Sequence, residues 1–250
     1  MSDAITAETI RLHGAGNNEI EAYHAGPAGE QTRGGIVLIH HLPGYDRWSK
    51  EVARRFAVDG YDVVVPNLYS REAPGADPDD AAAIARAQGG VPDERLLGDV
   101  DGMIGHLRRL PTSNSNVAVI GHCSGGRQAV LAACNLELQG AIDCYGAFVV
   151  SDSPAESPVK MTSLEDQLPN LGCPLLGLFG NEDANPAPEH VDRLDKLLTE
   201  HGKEHEFYRY DGAGHGFFAT DRPSYRPEAA VDGYQRISQF LHRCLNQVII

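Results

Sequence analysis

Val117-Ala-Val-Ile120, followed at once by Gly121-His-Cys-Ser-Gly-Gly126, is the stretch on which the reading of this chain turns. The first four residues form a short apolar run of the kind that fills a buried strand. The glycines make a tight turn, and residues 126–134 have the apolar recurrence of a helix. In a strand, turn and helix of this kind, the middle residue of Gly-x-Cys-x-Gly sits at the tip of a strained bend. Its small neighbours let the bend close, and its side chain projects at the top of the sheet. That residue is Cys123. The amide dipoles of the following helix point at the sulfur and favour a thiolate or a developing oxyanion. The turn pattern alone is weak, because a cysteine there can also pack as a small hydrophobe.

On either side of this unit, short β-branched runs alternate with longer amphipathic stretches. Strands are expected at 8–12, 19–24, 35–40, 62–66, 116–120, 141–145, 175–179 and 204–210. Helices are expected at 48–58, 79–88, 95–110, 126–134, 190–200 and 227–246. Several of the strands are continuously apolar, as central parallel strands covered on both faces must be. The first two are expected to form an antiparallel edge. The 250 residues carry no composition break, repeat or low-complexity tract, so residues 1–250 are read as a single α/β domain. Segments 67–90 and 151–170 are polar, Pro-containing and long for connections, which makes them either rims or lids of a site or plain surface excursions.

A cysteine nucleophile needs a base, and the base needs an orienting acid, both delivered to the same sheet edge. Asp183 follows the strand at 175–179 in Gly180-Asn-Glu-Asp183, with its neighbour Glu182 as the alternative acid. His215 follows the strand at 204–210 in Gly212-Ala-Gly-His-Gly216. The order nucleophile, acid, histidine is that of α/β-hydrolases. Two N–H donors should also face the developing oxyanion. Ser124 offers one and Leu42, in the loop His41-Leu-Pro-Gly-Tyr45, the other; Pro43 has no N–H to give.

On these residues the chain resembles the dienelactone hydrolase (carboxymethylenebutenolidase) family. The match lies in residues 36–44 with Trp48, in Pro66-Asn-Leu-Tyr-Ser-Arg-Glu-Ala-Pro-Gly75, in 121–126, and in 180–183 with 213–217. The resemblance implies an α/β-hydrolase fold, with a mostly parallel central sheet and helices on both faces. It gives the triad roles to Cys123, Asp183 and His215. The family usually carries a Glu that contacts the resting thiol, at the place where this chain has His41. Its prototype also uses an Arg four residues past the catalytic His, where this chain has Ala219. His41 is left to polarise the site, contact the thiol or pack. The substrate-pocket candidates are His41, Tyr45, Arg71, Arg86 and Phe217, with Arg71 or Arg86 available for an anion.

The net charge of −14 and the absence of any basic block argue against nucleic acid or anionic membrane as partners. No apolar run is long enough to span a bilayer, and Met1-Ser2-Asp3-Ala4 has neither the basic start nor the apolar stretch of a signal peptide. A cytoplasmic location is expected. Five cysteines without a CxxC pair suggest reduced thiols and no structural zinc, and His201 and His205 lack a third nearby ligand. No cofactor is expected.

A thiolate leaves a tetrahedral adduct more readily than an alkoxide does. The chemistry therefore favours activated acyl groups such as enol lactones, aryl esters and thioesters. The expected partner is a small ester or lactone, acting on a monomer or homodimer. A lyase or acyl transferase on the same scaffold, or a ligand-binding protein with a spent triad, are the rival readings.

Overall fold

The computed structural model describes residues 4–246; the opening Met1-Ser2-Asp3 lies outside the described residues. Eight strands form one sheet: β1 (Ile5–His13), β2 (Glu19–Pro27), β3 (Arg33–Ile39), β4 (Asp62–Pro66), β5 (Ser113–His122), β6 (Gly140–Cys144), β7 (Leu175–Gly180) and β8 (His205–Tyr210). Their spatial order is β1-β2-β4-β3-β5-β6-β7-β8. From β4 to β8 every pairing is parallel, whereas β1 and β2 pair antiparallel and β2 also runs antiparallel to β4. The antiparallel edge expected from the sequence is therefore present. The helices are α1 (Arg47–Val58), α2 (Pro78–Ala87), α3 (Asp93–Arg108), α4 (Ser124–Asn135), α5 (Pro188–Glu200) and α6 (Pro227–Leu245).

The central strands carry uninterrupted apolar runs because each face has its own cover. Val37, Ile39, Val64, Val117 and Val119 point into one core, shared with α2, α3, α4 and α5. Ile36, Leu38, Val63, Val65, Ala118 and Ile120 point into the other, filled from α1 by Trp48, Val52 and Phe56 and from α6 by Ile237, Phe240 and Leu241. This alternation follows from the two-residue period of a strand. Among the described residues no helix is long and apolar enough to cross a membrane.

Most element ends shift by a few residues from the expected ranges, and two shifts matter for the site. The strand expected at 116–120 runs on through His122, and the following helix starts at Ser124 rather than 126. The whole turn is thereby compressed into Cys123, whose φ of 56° and ψ of −122° put a non-glycine residue in a sparsely populated region.

Candidate active site

The bend at Cys123 closes because backbone replaces side chain around it. A Cβ on Gly121 would lie 1.8 Å from the Gly125 carbonyl oxygen, and one on Gly125 would lie 2.4 Å from the Ile39 carbonyl at the end of β3. The Cys123 N–H donates to the Cys144 carbonyl at the end of β6 (3.0 Å), which anchors the turn to the neighbouring strand. The sulfur is thus held at the carboxyl edge of the sheet, in front of the first turn of α4.

The acid and histidine turns reach that edge stitched together. The Asn181 N–H donates to the Tyr210 carbonyl (3.0 Å), and the Glu182 N–H to the Ala213 carbonyl (2.9 Å). These bonds leave the buried Asp183 carboxylate to accept from His215 Nδ1 at 2.9 Å with one oxygen, and from the Asn185 N–H at 2.8 Å with the other. Glu182 is exposed, so of the two acids the sequence left open it is Asp183 that meets the imidazole. With Nδ1 committed, the other ring nitrogen of His215 is the one left for the Cys123 sulfur, and the two groups are close enough to shift each other's ionisation. Carboxylate, imidazole and sulfur form one chain.

The electrostatics of that chain favour the ion pair. Burial would push the Cys123 thiol up. The His215 hydrogen bond and charge, with the backbone N–H groups of Ser124 and Leu42, outweigh it and hold the thiol below its ordinary value. Burial likewise disfavours the His215 cation, yet Asp183 and Cys123 together raise it to about 10. A depressed thiol keeps its thiolate as the pH falls and loses it only below its own lowered pKa. Between pH 9 and 7 an ordinary thiol of pKa about 8.5 loses about 25-fold of its thiolate. Site-resolved alkylation of Cys123 by iodoacetamide is expected to slow by clearly less than that over the same range; a rate that tracks a free thiol would contradict the ion pair.

Leu42 and Ser124 are therefore both beside the sulfur, as the two donors of an oxyanion site would be. Two residues not singled out from the sequence hold the Leu42 loop. The Tyr69 hydroxyl donates to the Leu42 carbonyl (3.0 Å), and Tyr69 meets the His40 ring edge-on. His40 accepts the Leu68 N–H on Nε2 (3.3 Å), while its Nδ1 lies 2.8 Å from the His41 carbonyl. Tyr69 sits in the Asn67-Leu-Tyr-Ser70 run, and that location was the only signal the sequence offered for it.

A cavity of about 550 Å³ opens over the chain, lined by Cys123, Ser124, Leu42, Phe148, Met161 and His215 among others. None of the five pocket candidates lines it. His41 is buried, gives its Nε2 to Asp46 at 2.6 Å and lies against Trp48, so of its three readings it packs. Asp46 is busy as well, accepting the Ser49 N–H as the cap of α1; burial would raise its carboxyl, but His41 and that N–H hold it down to about 2. Tyr45 is buried beneath the Lys50 ammonium. Phe217 is fully buried against Tyr145, Tyr210 and Phe218.

Arg71 makes two bonds, of 2.7 and 2.8 Å, to the fully buried Asp99. Pulling it away would strand a buried carboxylate at a cost of about 3–5 kcal/mol, so it is not available to a substrate. Arg86 lines a second, smaller cavity beside the first. Among residues the sequence reading missed, Tyr145 packs its ring edge against His215 at 5.1 Å, and Met161 and Phe148 form cavity wall. Among the described residues no group of His, Cys, Asp and Glu is placed to hold a metal ion.

Comparison with known proteins shows the family. The profile of the Dienelactone hydrolase family matches residues 20–245. A protein of Escherichia coli K12 named "Putative carboxymethylenebutenolidase" is 32% identical over 246 residues, covering 95% of this chain and 87% of its own length. A Bradyrhizobium protein named "Probable 2-oxo-3-(5-oxofuran-2-ylidene)propanoate lactonase" is 26% identical, covering 89% of this chain and 90% of its own. The crystal structure of a protein from Klebsiella pneumoniae titled "Putative Dienelactone Hydrolase" superposes with a TM-score of 0.85 at 27% identity, over 96% of this chain and all (100%) of that one. With a match of that extent, the chain belongs to the dienelactone hydrolase family of α/β-hydrolases.

Proposed function

We propose that this member of a hydrolase family opens an activated ester or lactone through Cys123, with a thioester acyl-enzyme on the pathway. The observation that carries the reading is the continuous chain from Asp183 through His215 to a sulfur that lines an open cavity. The thiolate attacks the acyl carbon, and the oxygen of the adduct moves toward the N–H groups of Leu42 and Ser124. As the adduct collapses, the acyl–oxygen bond breaks and the His215 cation passes its proton to the departing oxygen. Neutral His215 then takes a proton from water, which attacks the thioester and releases the acid and the thiolate. Asp183 keeps the imidazole in the tautomer and orientation both half-reactions need. Resemblance to the Bradyrhizobium lactonase supports lactones as one substrate class for this chain.

The test is to mix the protein with p-nitrophenyl acetate, quench in acid within the first turnovers and map the mass. A single acetyl group on the Cys123 peptide, accompanied by a burst of nitrophenol, is the expected result. Steady nitrophenol release with no label on that peptide would remove the thioester. The absence of both release and label would favour a ligand-binding protein with a spent triad.

A further inference from the structure

One ionisable group beside the site has no part in the proposed mechanism. Asp143 lies near the end of β6, on the strand next to the nucleophile turn, and is fully buried. One of its carboxyl oxygens accepts the Gly146 N–H at 2.7 Å, and the other has no hydrogen-bond partner among the described residues. Backbone closes around it in place of side chains. Gly121 on β5 and Gly177 on β7 are its register partners, and a Cβ on Gly126 of α4 or on Gly146 would lie 2.2 or 2.5 Å from the bonded oxygen.

The groups packed around Asp143 leave its charge largely unmet. Burial keeps the adjoining Cys144 a neutral thiol, with Asp143 adding to the effect. The Arg127 guanidinium, next on α4, is bound to Asp93 and to the Thr162 carbonyl. The charge that acts on Asp143 through space is that of His215. A carboxylate with one oxygen unpartnered in the interior takes up a proton more readily than one in water. Burial accordingly pushes Asp143 up to about 7, so the group is ionised above that pH and protonated below it.

What the carboxylate holds is the turn that walls the cavity. Tyr145 and Phe148 both have left-handed backbone, with φ of 48° and 63°, which non-glycine residues adopt only when their surroundings hold them there. The Gly146 N–H lies between them, and its bond to Asp143 ties the turn to β6. Tyr145 sets its ring edge-on against His215 at 5.1 Å, and Phe148 lines the cavity over Cys123. The leaving oxygen must lie where His215 can protonate it, so the group attached to that oxygen is the part of the substrate that meets this wall. A hydrogen bond to an ionised acceptor is stronger than one to a neutral acceptor, by about fivefold in an equilibrium. We propose that Asp143 is a positioning residue for the leaving-group wall: as a carboxylate it holds the 145–148 turn in the observed shape, and on taking up a proton it lets Phe148 yield to bulkier leaving groups. This assignment rests on the hydrolase reading above.

Phenyl acetate and 2-naphthyl acetate test it. They share an acyl group and release phenols of similar acidity, so the ratio of their kcat/KM values cancels the ionisation of Cys123 and His215 and reports the fit of the leaving group. In wild type the naphthyl-to-phenyl ratio is expected to rise about threefold or more as the pH falls from about 8 to about 6, with its midpoint near 7. Asp143→Asn keeps an acceptor for the Gly146 N–H but cannot ionise, and its ratio should be flat over that range. Phe148→Ala should also be flat, with naphthyl acetate accepted equally well at both ends. Difference infrared spectra across the same pH change should show the carbonyl band of a protonated carboxyl in wild type and lack it in Asp143→Asn. A wild-type ratio independent of pH, an inflection that survives in Asp143→Asn, or a missing wild-type band overturns the inference; an inflection that survives in Phe148→Ala overturns the role of that ring. Cleavage of both esters at a pH-independent ratio defeats this inference alone. Failure to cleave either defeats the hydrolase reading and this one with it.

Discussion

Cys123→Ala and His215→Ala are each expected to lower kcat/KM for p-nitrophenyl acetate by at least about three orders of magnitude, and the double variant to be no slower than the worse single one. The reason is that in the proposed mechanism the two side chains act as one unit. Without the imidazole the sulfur would lose the partner that holds it as thiolate and the proposed donor to the leaving oxygen. Without the sulfur, the imidazole has no acyl-enzyme to deacylate. Additive losses would mean that the two residues serve separate steps, and wild-type rates in both variants would remove the proposed mechanism. Both substitutions face a cavity, so a folded protein is expected in each case and near-wild-type circular dichroism is the control.

Gly121→Ala should be the most damaging single methyl group that can be added near the site. Its Cβ would be built 1.8 Å from the Gly125 carbonyl oxygen, a backbone atom in the first turn of α4 that no rotamer change can move. Relief requires α4 to back away from β5, which would pull Ser124 and its N–H away from the sulfur and loosen the core beneath. A loss of about 4 kcal/mol or more in urea unfolding is expected, beyond the range of ordinary substitutions. Gly29→Ala supplies the contrast: nothing lies within 4 Å of its added Cβ, and a change within about 0.5 kcal/mol is expected there. Equal stability of the two variants would contradict the tight approach of helix and strand at the elbow.

Another group near the elbow shows how a reactive-looking residue can be structural. His122 is buried with neither ring nitrogen hydrogen-bonded to protein, boxed in by Trp48, Tyr145 and Phe218, and burial pushes it down to about 3. It is therefore neutral near pH 7 and packs as an aromatic ring behind the nucleophile turn. Asp143, on the adjacent strand, is pushed up to about 7 by burial even though it accepts the Gly146 N–H at 2.7 Å; it ties down the start of the 145–148 wall that supplies Phe148 to the cavity.

The positions that were legible in the sequence share one property: neighbours in the chain determine them. The apolar runs Ile36–Ile39, Val63–Val65 and Val117–Ile120 can be satisfied only by strands covered on both faces, and glycines on either side of Cys123 can be satisfied only by a turn too tight for side chains. The meeting of Asp183 and His215 was legible because each lies in the loop just beyond a strand of the same sheet, and parallel strands bring their carboxyl ends to one edge. The pocket candidates fared differently. Arg71 and Arg86 look alike as sequence, but Arg71 is claimed by Asp99, 28 residues on, and Arg86 is left to line a cavity. His41 was judged by its place in a loop, whereas Asp46 and Trp48 decide its orientation.

What the sequence alone determined was therefore the fold and the three residues at the strand ends, because periodicity, glycine spacing and chain order are local properties that any folded form must respect. Which side chains wall the cavity was decided only by tertiary packing. Tyr69 reaches Leu42 and Met161 joins the cavity wall because segments far apart in the chain are pressed together, and those contacts also decide which arginine is neutralised, as Arg71 is by Asp99.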